Sequence, residues 1–369
     1  MSDKSKISNN ILKDYNDKIN GEKTKLLIVF LCLIVLFVAA LYWSLVTGSV
    51  ELSQKDIFGA IQSYISGNID KTNEMNIMVI NEIRLPRIIL SFIIGASLSI
   101  TGAAMQGLFR NPLADPALIG VSTGAALGAV IFIVLGSIIL PNLPQDFSLY
   151  IQPIAAFVGG IISTIIAYKL ASRSGMTNIS ILLLAGIAVN AMNGAIYGFF
   201  VFIANDAQLR NITFWSLGSF SGSNWTSVSI SIFAVLIPSL FLLKYGKVLN
   251  IISLGEKEAY YLGVNLQHIK RVIIFIAAVS IGGGVSQAGI IGFLGLVTPH
   301  IIRLWFTHNY KYLLPLSMLF GGTLLMIADT LARTIVSPAE LPIGILTTGL
   351  GGPFFIWLLL REKKSEELM

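Results

Sequence analysis

Residues 88–108 read IILSFIIGASLSITGAAMQGL, a stretch without a single charged side chain. A transmembrane helix needs about 20 consecutive apolar residues to cross the hydrocarbon core of a bilayer, and this stretch has that length. Comparable runs predict about ten crossings, near residues 26–46, 88–108, 117–140, 151–171, 179–204, 227–243, 268–288, 290–306, 312–335 and 343–360. The predicted fold is therefore an all-α integral membrane protein with its helices in one bundle.

The composition of the whole chain agrees with a membrane protein. Hydrophobic residues make up 54% of the 369 residues and charged residues only 12%, whereas about a quarter of residues are charged in soluble domains. No long polar block divides the apolar runs, so residues 26–369 are predicted to form one transmembrane domain after a polar N-terminal tail, residues 1–25. A single cysteine, Cys32, excludes an intrachain disulfide, and three scattered histidines argue against a metal site.

The distribution of lysine and arginine predicts the orientation, because cytoplasmic loops of membrane proteins carry an excess of these residues. Basic residues concentrate in 1–25, in 244–271 and in the tail after Leu360, and with ten crossings all three segments fall on one side. The loop 47–82 falls on the other side and is acidic. Both termini are therefore expected in the cytoplasm. The net charge of +6 reflects this bias and does not indicate nucleic-acid binding.

A charged stretch bounded by glycines, SLGEKEAYYLGVN at residues 253–265, interrupts the apolar pattern on the cytoplasmic side. Ser253 with Glu256 predicts a capping box at the start of a short helix, Leu254–Leu262. Gly263 predicts a left-handed end of that helix, and Asn265 predicts a cap for the next helix. A short capped helix between two crossings suits the groove of a partner protein. A solvated connecting loop is the alternative, because capping signals mark helices and not functions.

Four stretches together resemble a known family. They are RLPRIILSFIIGASLSITGAAMQGLFRNPLADPALIGVSTGAALGA at 84–129, SLGEKEAYYLGVN at 253–265, GIIGFLGLVTPHIIRLW at 289–305 and AELPIGILTTGLGGPFFIWLLLR at 339–361. In order and spacing they look like the permease subunits of bacterial ABC importers for ferric siderophores, haem and cobalamin. The resemblance implies a ten-helix, BtuC-like permease that works as a pair around a central pathway. It also implies two cytoplasmic ATPase subunits and an extracytoplasmic binding protein that delivers substrate.

The resemblance implies roles for residues at matching positions. The segment 253–265 looks like the family's ATPase-coupling segment, through Ser253, Leu254, Gly255, Glu256, Ala259, Tyr260, Leu262 and Gly263. Asn111 and Leu113 match positions of a cytoplasmic gate. The stretch FWSLGSFSGSNW at 214–225 is similar to a lining of the substrate pathway, with Trp215, Ser219, Phe220 and Trp225 as contacts. An interfacial aromatic belt is the alternative for the two tryptophans.

Three arginines are predicted on the outer side, against the orientation rule. Arg84 and Arg87 open the second crossing, and Arg333 lies near the outer end of the ninth. The resemblance implies that such arginines meet acidic residues of the binding protein. Snorkelling to lipid headgroups is the alternative for the first two. An ion pair with Asp329, four residues earlier, is the alternative for Arg333.

The source of energy is predicted to lie on a partner. The sequence has no G-x-x-x-x-G-K-[ST] phosphate loop, so ATP and Mg are expected on the ATPase subunit, with no cofactor and no enzyme activity on this chain. A stand-alone metal-ion or proton-coupled carrier is the rival class, and the mid-segment acid Asp329 favours it. The stretch GVSTG at 120–124 matches a hydrolase nucleophile pattern but lacks a strand–turn–helix context. Its glycines every four residues are typical of close helix packing.

The predicted protein is thus a homodimeric permease of the bacterial cytoplasmic membrane. Its substrate is predicted to be an iron complex, with haem ahead of a ferric siderophore and cobalamin third. Haem leads because RNPLADPALIGVSTGAALGA at 110–129 and WSLGSFSGSNW at 215–225 look closest to haem permeases. His300 is expected to be a hydrogen-bonded packing residue and not a haem contact.

Overall fold

The computed structural model describes residues 2–48, 59, 71–139 and 145–366. These residues are almost entirely helical. The helices are α1 Ser2–Val46, α2 Lys71–Met78, α3 Leu85–Phe109, α4 Val121–Ile139, α5 Gln145–Ala171, α6 Ile179–Ile203, α7 Asp206–Ser216, α8 Trp225–Ser231, α9 Ile237–Phe241, α10 Gly246–Leu254, α11 Glu256–Tyr261, α12 Leu266–Ala288, α13 Leu294–Trp305, α14 Tyr310–Ala332 and α15 Ile343–Glu366. Strands β1 Ser172–Arg173 and β2 Met176–Thr177 form an antiparallel hairpin between α5 and α6.

Short irregular helical turns connect several of these helices. The π-helical turns Val79–Arg84 and Ile232–Leu236 join α2 to α3 and α8 to α9. The 3-10 turns Pro116–Ile119 and Leu242–Tyr245 precede α4 and α10. Because most of these turns continue the helix axis, α2 with α3 and α8 through α10 each act as one long membrane-crossing unit.

Eight helical stretches of the described chain are long and apolar enough to cross a membrane. They are Thr24–Val46, Met75–Phe109, Val121–Ile139, Tyr150–Ala171, Ile179–Ile203, Trp225–Leu254, Leu266–Ala288 and Tyr310–Ala332. The predicted eighth and tenth crossings are shorter, because α13 has 12 residues and the apolar part of α15 runs from Ile343 to Leu358. The all-α membrane fold with about ten helices is confirmed.

The predicted crossing 290–306 is shortened by a non-helical connection. α12 ends at Gly289, which has φ +72, and Phe293 also lies in the left-handed region with φ 64. A Cβ at Gly289 would lie 2.2 Å from the carbonyl oxygen of Trp215. Glycine is therefore required where the chain turns against α7, and α13 begins only after this turn.

α3 is the buried centre of the bundle. A Cβ added at Gly95 would lie 2.5 Å from the carbonyl oxygen of Gly321 in α14, and one at Gly102 would lie 1.8 Å from that of Gly295 in α13. Small residues at these crossings let the backbones approach, which is how helices gain packing energy inside a membrane. The uncharged run 88–108 is thus apolar because other helices surround it on nearly every side.

The glycine repeat after residue 120 packs α4 against α5, as predicted. A Cβ at Gly124 would lie 2.5 Å from the carbonyl oxygen of Gly159, and one at Gly128 would lie 2.1 Å from that of Ala155. Gly120 has a different role, because its φ of +91 ends the 3-10 turn before α4. The GVSTG stretch follows a 3-10 turn and not a strand, so the structure gives no support to a nucleophile elbow.

The N-terminal segment continues directly into the first crossing. The chain is helical from Ser2 to Val46 without a break, and a cytoplasmic polar tail over residues 1–25 stays a prediction. The segment contains no proline, and extending an existing helix is easier than starting a new one. Of the predicted outer loop 47–82, residues 49–58 and 60–70 lie outside the described residues, and its final part is helical.

The bundle has two ends with different polar features. We call the end that carries residues 110–120, the β1–β2 hairpin and α11 the α11 end. The other end carries residues 44–48, 84–87 and 329–340, and we call it the arginine end. Alternating helix directions place the basic segment 244–271 at the α11 end.

Candidate functional site

The predicted coupling segment starts with a glycine hinge and not with a capping box. Ser253 still belongs to α10, where its hydroxyl donates to the carbonyl oxygen of Asn250 at 2.6 Å. Gly255, with φ 145, separates α10 from α11, and no side chain caps α11. The carboxylate of Glu256 instead pairs with Lys270, at 2.9 Å between Oε1 and Nζ. The capping-box prediction was wrong because α10 continues through Ser253 to Leu254, well beyond the end of the predicted crossing at residue 243.

The end of the coupling segment agrees with the prediction. Gly263 has φ +79, and its N–H donates to the carbonyl oxygen of Tyr260 at 3.0 Å. The N–H of Val264 donates to Ala259 O, also at 3.0 Å, which completes a left-handed helix end. Asn265 then caps α12 by accepting from the N–H of His268 at 3.1 Å.

α11 presents apolar side chains to its surroundings. Tyr260 is 72% exposed and Leu262 is 63% exposed, and Leu254 on the preceding turn is 69% exposed. Ala259 is fully buried, so it packs α11 against the bundle. An open groove of about 760 Å³ lies beside α11, between it and the tip of the β1–β2 hairpin at Met176. Contiguous exposed apolar surface of this kind marks an interaction site.

The two predicted gate residues lie in the turn between α3 and α4, also at the α11 end. Arg110 has φ 52 and ends α3, and the exposed Asn111 follows it. The side chain of Asn111 accepts from the N–H of Leu113 at 2.9 Å, which tightens the turn. Burial raises the pKa of the Asp115 carboxyl group, and the N–H of Ala117, which donates to it, opposes that shift. The gate role of Asn111 and Leu113 stays a prediction.

The predicted docking arginines are buried at the arginine end. The guanidinium of Arg87 binds Asp329, with 2.9 Å between Nε and Oδ2, and Glu340, with 2.9 Å between Nη1 and Oε1. Arg84 is 2% exposed and donates to the carbonyl oxygens of Leu45 and Val46 in α1.

Arg333 also turns inward. It is 5% exposed, and its Nη2 donates to the hydroxyl oxygen of Ser44 at 2.8 Å. The expectation that Arg84, Arg87 and Arg333 present their charge at the surface was therefore wrong, and so was snorkelling for Arg84 and Arg87. Inside the bundle, water does not supply acceptors for the guanidinium N–H groups, so these groups bind acceptors on neighbouring helices. The arginines thereby join α1, α3 and α14.

Asp329 lies in this cluster, and its surroundings bear on the rival carrier class. The residue is 1% exposed, and both of its oxygens accept from Arg87. The alternative ion pair with Arg333 is not what holds it, since Arg87 from another helix is its ionic partner. A carboxylate held by a permanent cation is ill suited to bind and release protons or metal ions. The one sequence signal for a stand-alone carrier therefore has a structural explanation.

The predicted pathway residues divide into two groups. Ser219 is exposed, and its N–H donates to the carbonyl oxygen of Ala288 at 2.9 Å. Trp225 is 40% exposed and its indole N–H donates to the carbonyl oxygen of Asn81 at 2.9 Å. Trp215 is half-buried. Phe220 is 1% exposed, so the prediction that its ring faces a substrate was wrong: it packs into the core under the segment.

A cavity of about 410 Å³ opens beside Ser219. Its lining is uncharged and combines hydroxyl and amide groups with apolar side chains: Leu90, Tyr150, Pro153, Ile154, Phe157, Ser219, Gly222, Ser223, Asn224, Ser227, Ile230, Ala234, Gly283, Ser286 and Gln287. Sequence reasoning missed the contributions from α5 and α12. The glycine run 282–284 was a usable signal, since Gly283 lies where α12 meets the chain at Ala234.

His300 is buried in α13. His300 is 6% exposed, and neither ring nitrogen has a hydrogen-bond partner among the described residues. The expected hydrogen bond was therefore wrong, and the ring instead meets Phe354 edge-on, with 6.4 Å between centroids. Within the described ranges no group of three or more histidine, cysteine, aspartate or glutamate side chains is placed to hold a metal ion.

Comparisons with known proteins agree with this architecture. The sequence model of the FecCD transport family matches residues 33–361. The chain is 40% identical to the hemin transport system permease protein HmuU of Yersinia pestis, over 94% of this chain and 99% of that protein. It is 41% identical to the cobalamin import system permease protein BtuC of Halobacterium salinarum, over 79% of this chain and 75% of that protein.

A solved structure is also similar. A transporter assigned to the metal-chelate type of ABC transporters, in an inward-facing conformation, superposes with a TM-score of 0.78 at 32% identity. The match covers 90% of this chain and 99% of that one.

Proposed function

The chain belongs to the FecCD transport family, and from that membership we propose that it is the permease of an ATP-driven importer for an iron complex, with haem ahead of a ferric siderophore. The observation that carries the proposal is the 40% identity to a hemin permease across 99% of that protein's length. In this proposal the chain is a transport subunit of the bacterial cytoplasmic membrane and not an enzyme.

The uncharged cavity supports transport of the metal inside its organic complex. Charged groups are absent from its lining, and hydroxyl and amide groups alternate with the flat or bulky apolar side chains of Tyr150, Phe157 and Leu90. Such a surface suits a large, mostly apolar ligand held by a few polar contacts. A bare cation would instead need several charged or carbonyl oxygen ligands in one place. We therefore propose that the iron is not removed from its ligand on the pathway.

The proposed assembly contains two copies of this chain, two ATPase subunits and a soluble binding protein. ATP and Mg are expected on the ATPase subunits. The exposed apolar side chains of Tyr260 in α11 and of Leu254 and Leu262 at its two ends are the proposed contact with the ATPase. The α11 end and both chain termini are accordingly proposed to lie in the cytoplasm, in agreement with the lysines and arginines of 244–271.

A second candidate substrate is cobalamin. The 41% identity to a cobalamin permease favours it, although that match covers 75% of the relative and not 99%. Haem and cobalamin both contain a large tetrapyrrole-type macrocycle, so an uncharged lining with a few polar contacts suits either of them.

Uptake measurements discriminate the substrates. Membrane vesicles that carry the complete importer would be offered radiolabelled haem, a ferric siderophore or cobalamin, each with ATP inside the vesicle and the binding protein outside. We expect ATP-dependent accumulation of haem. Accumulation of cobalamin alone would overturn the choice of substrate, and accumulation without ATP would overturn the proposed transporter class.

A matched pair of glycine variants tests whether the cavity is on the pathway. Gly222 lines the cavity, and a Cβ there meets nothing within 4 Å, so Gly222→Trp obstructs the cavity without a clash at its first atom. Gly21 is equally open but lies in the N-terminal helix, so Gly21→Trp is the control. We expect uptake to fall with Gly222→Trp and to remain with Gly21→Trp.

A further inference from the structure

Lys270 is a buried cation at the start of a membrane-crossing helix. It is 2% exposed and lies on the second turn of α12. Its ammonium nitrogen lies 2.9 Å from Glu256 Oε1 in α11 and donates to the carbonyl oxygen of Thr177 at 3.1 Å. One side chain thus joins α11, α12 and the β1–β2 hairpin.

The hairpin is also held by the preceding turn of α12. The side-chain oxygen of Gln267 accepts from the N–H of Thr177 at 2.8 Å, so two side chains three residues apart bind both peptide groups of Thr177. The hydroxyl of Thr177, in turn, lies 2.9 Å from that of Ser172 on the other strand. Gln267 and Lys270 therefore both tie the hairpin to α12 at Thr177.

α11 depends on the same lysine. No side chain caps its first turn, and Gly255 before it lies in a backbone region open only to glycine, with φ 145. An isolated helix of six residues is not stable in water, so its position must come from contacts with the bundle. The buried Ala259 and the ion pair from Glu256 to Lys270 supply those contacts.

We propose that Lys270 is a positioning residue that transmits displacement of α11 to the β1–β2 hairpin, and through it to α5 and α6. This inference rests on the proposed function, because it needs a partner ATPase that pushes on α11. A buried ammonium suits the role, since moving away from Glu256 would leave its charge without a counter-ion, so α11 and the hairpin move together.

The first experiment separates binding of the ATPase from its stimulation. The complete importer carrying Lys270→Met would be reconstituted in liposomes with its ATPase and its hemin-loaded binding protein. We expect co-purification of the ATPase and its basal hydrolysis to remain. We expect stimulation by the loaded binding protein to fall about tenfold, within the range typical of a lost coupling between sites.

A lysine that lies outside the ion pair provides the control. Lys257→Met removes an exposed lysine from α11 itself and should keep full stimulation. If Lys270→Met does not insert, Glu256→Gln weakens the same ion pair from the exposed side and should reduce stimulation in the same direction. Full stimulation in these variants overturns the relay, and so does loss of ATPase binding, which would make Lys270 part of a docking surface. If the proposed function itself is wrong, the result is different, because even the unmodified chain would then bind no ATPase.

The second experiment measures the predicted joint movement directly. Spin labels would be placed on two exposed residues, at Met176→Cys in the hairpin and at Tyr261→Cys in α11, in a Cys32→Ser background. We expect the distance between the labels to stay constant when the complex binds ATP. With Lys270→Met added, we expect that distance to change on ATP binding. An equally constant distance with Lys270→Met would overturn the inference.

Discussion

The two ends of the bundle both contain buried ion pairs but differ in the apolar side chains that they expose. At the arginine end, Arg84, Arg87 and Arg333 are buried, and they donate hydrogen bonds to carboxylates, to backbone carbonyls and to the hydroxyl of Ser44. At the α11 end, by contrast, the apolar side chains of Tyr260 and Leu262 point outward. Arginines that were expected at the surface are buried at one end, and apolar side chains are exposed at the other end, where a polar surface was expected.

This difference indicates that the arginine end stabilises the bundle and that the α11 end is suited to bind a partner. Buried ion pairs from Arg87 connect α3 to α14 and to Glu340, so separating these elements would leave charges without partners. Exposed aromatic and leucine side chains at the α11 end gain energy when another surface covers them. We therefore expect stability to respond to substitutions at the arginine end and coupling to respond to those at the α11 end.

The largest effect is expected for Arg87→Met. The variant leaves the carboxylate of Asp329 buried without its ionic partner, which lowers the free energy of unfolding by about 3–5 kcal/mol. Denaturant unfolding of the purified protein in detergent measures this change. The double variant Arg87→Met, Asp329→Asn should recover part of the loss, because no charge remains buried. A single variant as stable as the unmodified protein would show that the arginine end does not hold the bundle.

The next effect is expected for Tyr260→Ala combined with Leu262→Ala. Substrate-stimulated ATP hydrolysis of the complete importer should fall at least about tenfold, because a few residues, often tyrosines, contribute most of the energy of an interface, each about 2 kcal/mol or more. The unfolding free energy should stay unchanged, since both side chains project away from the bundle. Lys257→Ala, on the same helix, is the control. Unchanged stimulation in the double variant would mean that α11 is a solvated segment after all.

A smaller effect is expected for Glu340→Gln, which tests the docking role of the arginines. Glu340 is the more exposed partner of Arg87, with 33% of its side chain accessible, so its loss frees one side of the guanidinium. We expect affinity for the binding protein at low salt to change by less than about twofold, because Asp329 still holds the guanidinium of Arg87 inside the bundle.

The control for that experiment is Glu82→Gln, which removes an exposed acid at the same end and changes the net charge equally. If Glu340→Gln binds the partner much more tightly at low salt than Glu82→Gln does, Arg87 is a docking residue that Glu340 normally occupies.

The smallest effect is expected for Ser253→Ala. Its hydroxyl bonds within α10 and caps nothing, so the unfolding free energy should change by less than about 0.5 kcal/mol. Asn265→Ala removes a true N-cap from α12 and should lower stability by about 1 kcal/mol. Hydrogen exchange of the amides in α10 and α12 compares the two. Equal losses would mean that Ser253 supports α11 despite the hydrogen bond that it makes.

Local signals in the sequence were good guides where only neighbouring residues matter. Gly263 and Asn265 have the roles that their positions predicted, because a left-handed helix end and an N-cap involve residues within a few positions. The Gly124 and Gly128 packing was likewise predictable from its spacing. Ser253 misled because the capping pattern matched while the helix before it had not yet ended.

Contacts between distant residues were not predictable in the same way. Arg87 meets Glu340 across 253 positions of the chain, and Lys270 reaches Thr177 across 93. The sequence predicted only that Arg87 lies on the outer side and that the segment with Lys270 lies in the cytoplasm, because the pattern of lysine and arginine gives the side of the membrane but not the partner. Phe220 looked like a pathway residue for a similar reason, since an aromatic in a polar segment can face either way.

The sequence by itself determined that the chain is a helical membrane protein, roughly where its helices lie and which family it resembles. Apolar length and residue periodicity suffice for this, because a bilayer forces each crossing to satisfy its own backbone within a helix. Only the tertiary structure decided which charges are buried, that Asp329 is neutralised by Arg87, and that Lys270 joins three elements at the α11 end. The physical reason is that the energy of a charge depends on what surrounds it, and those surroundings come from helices far apart in the chain.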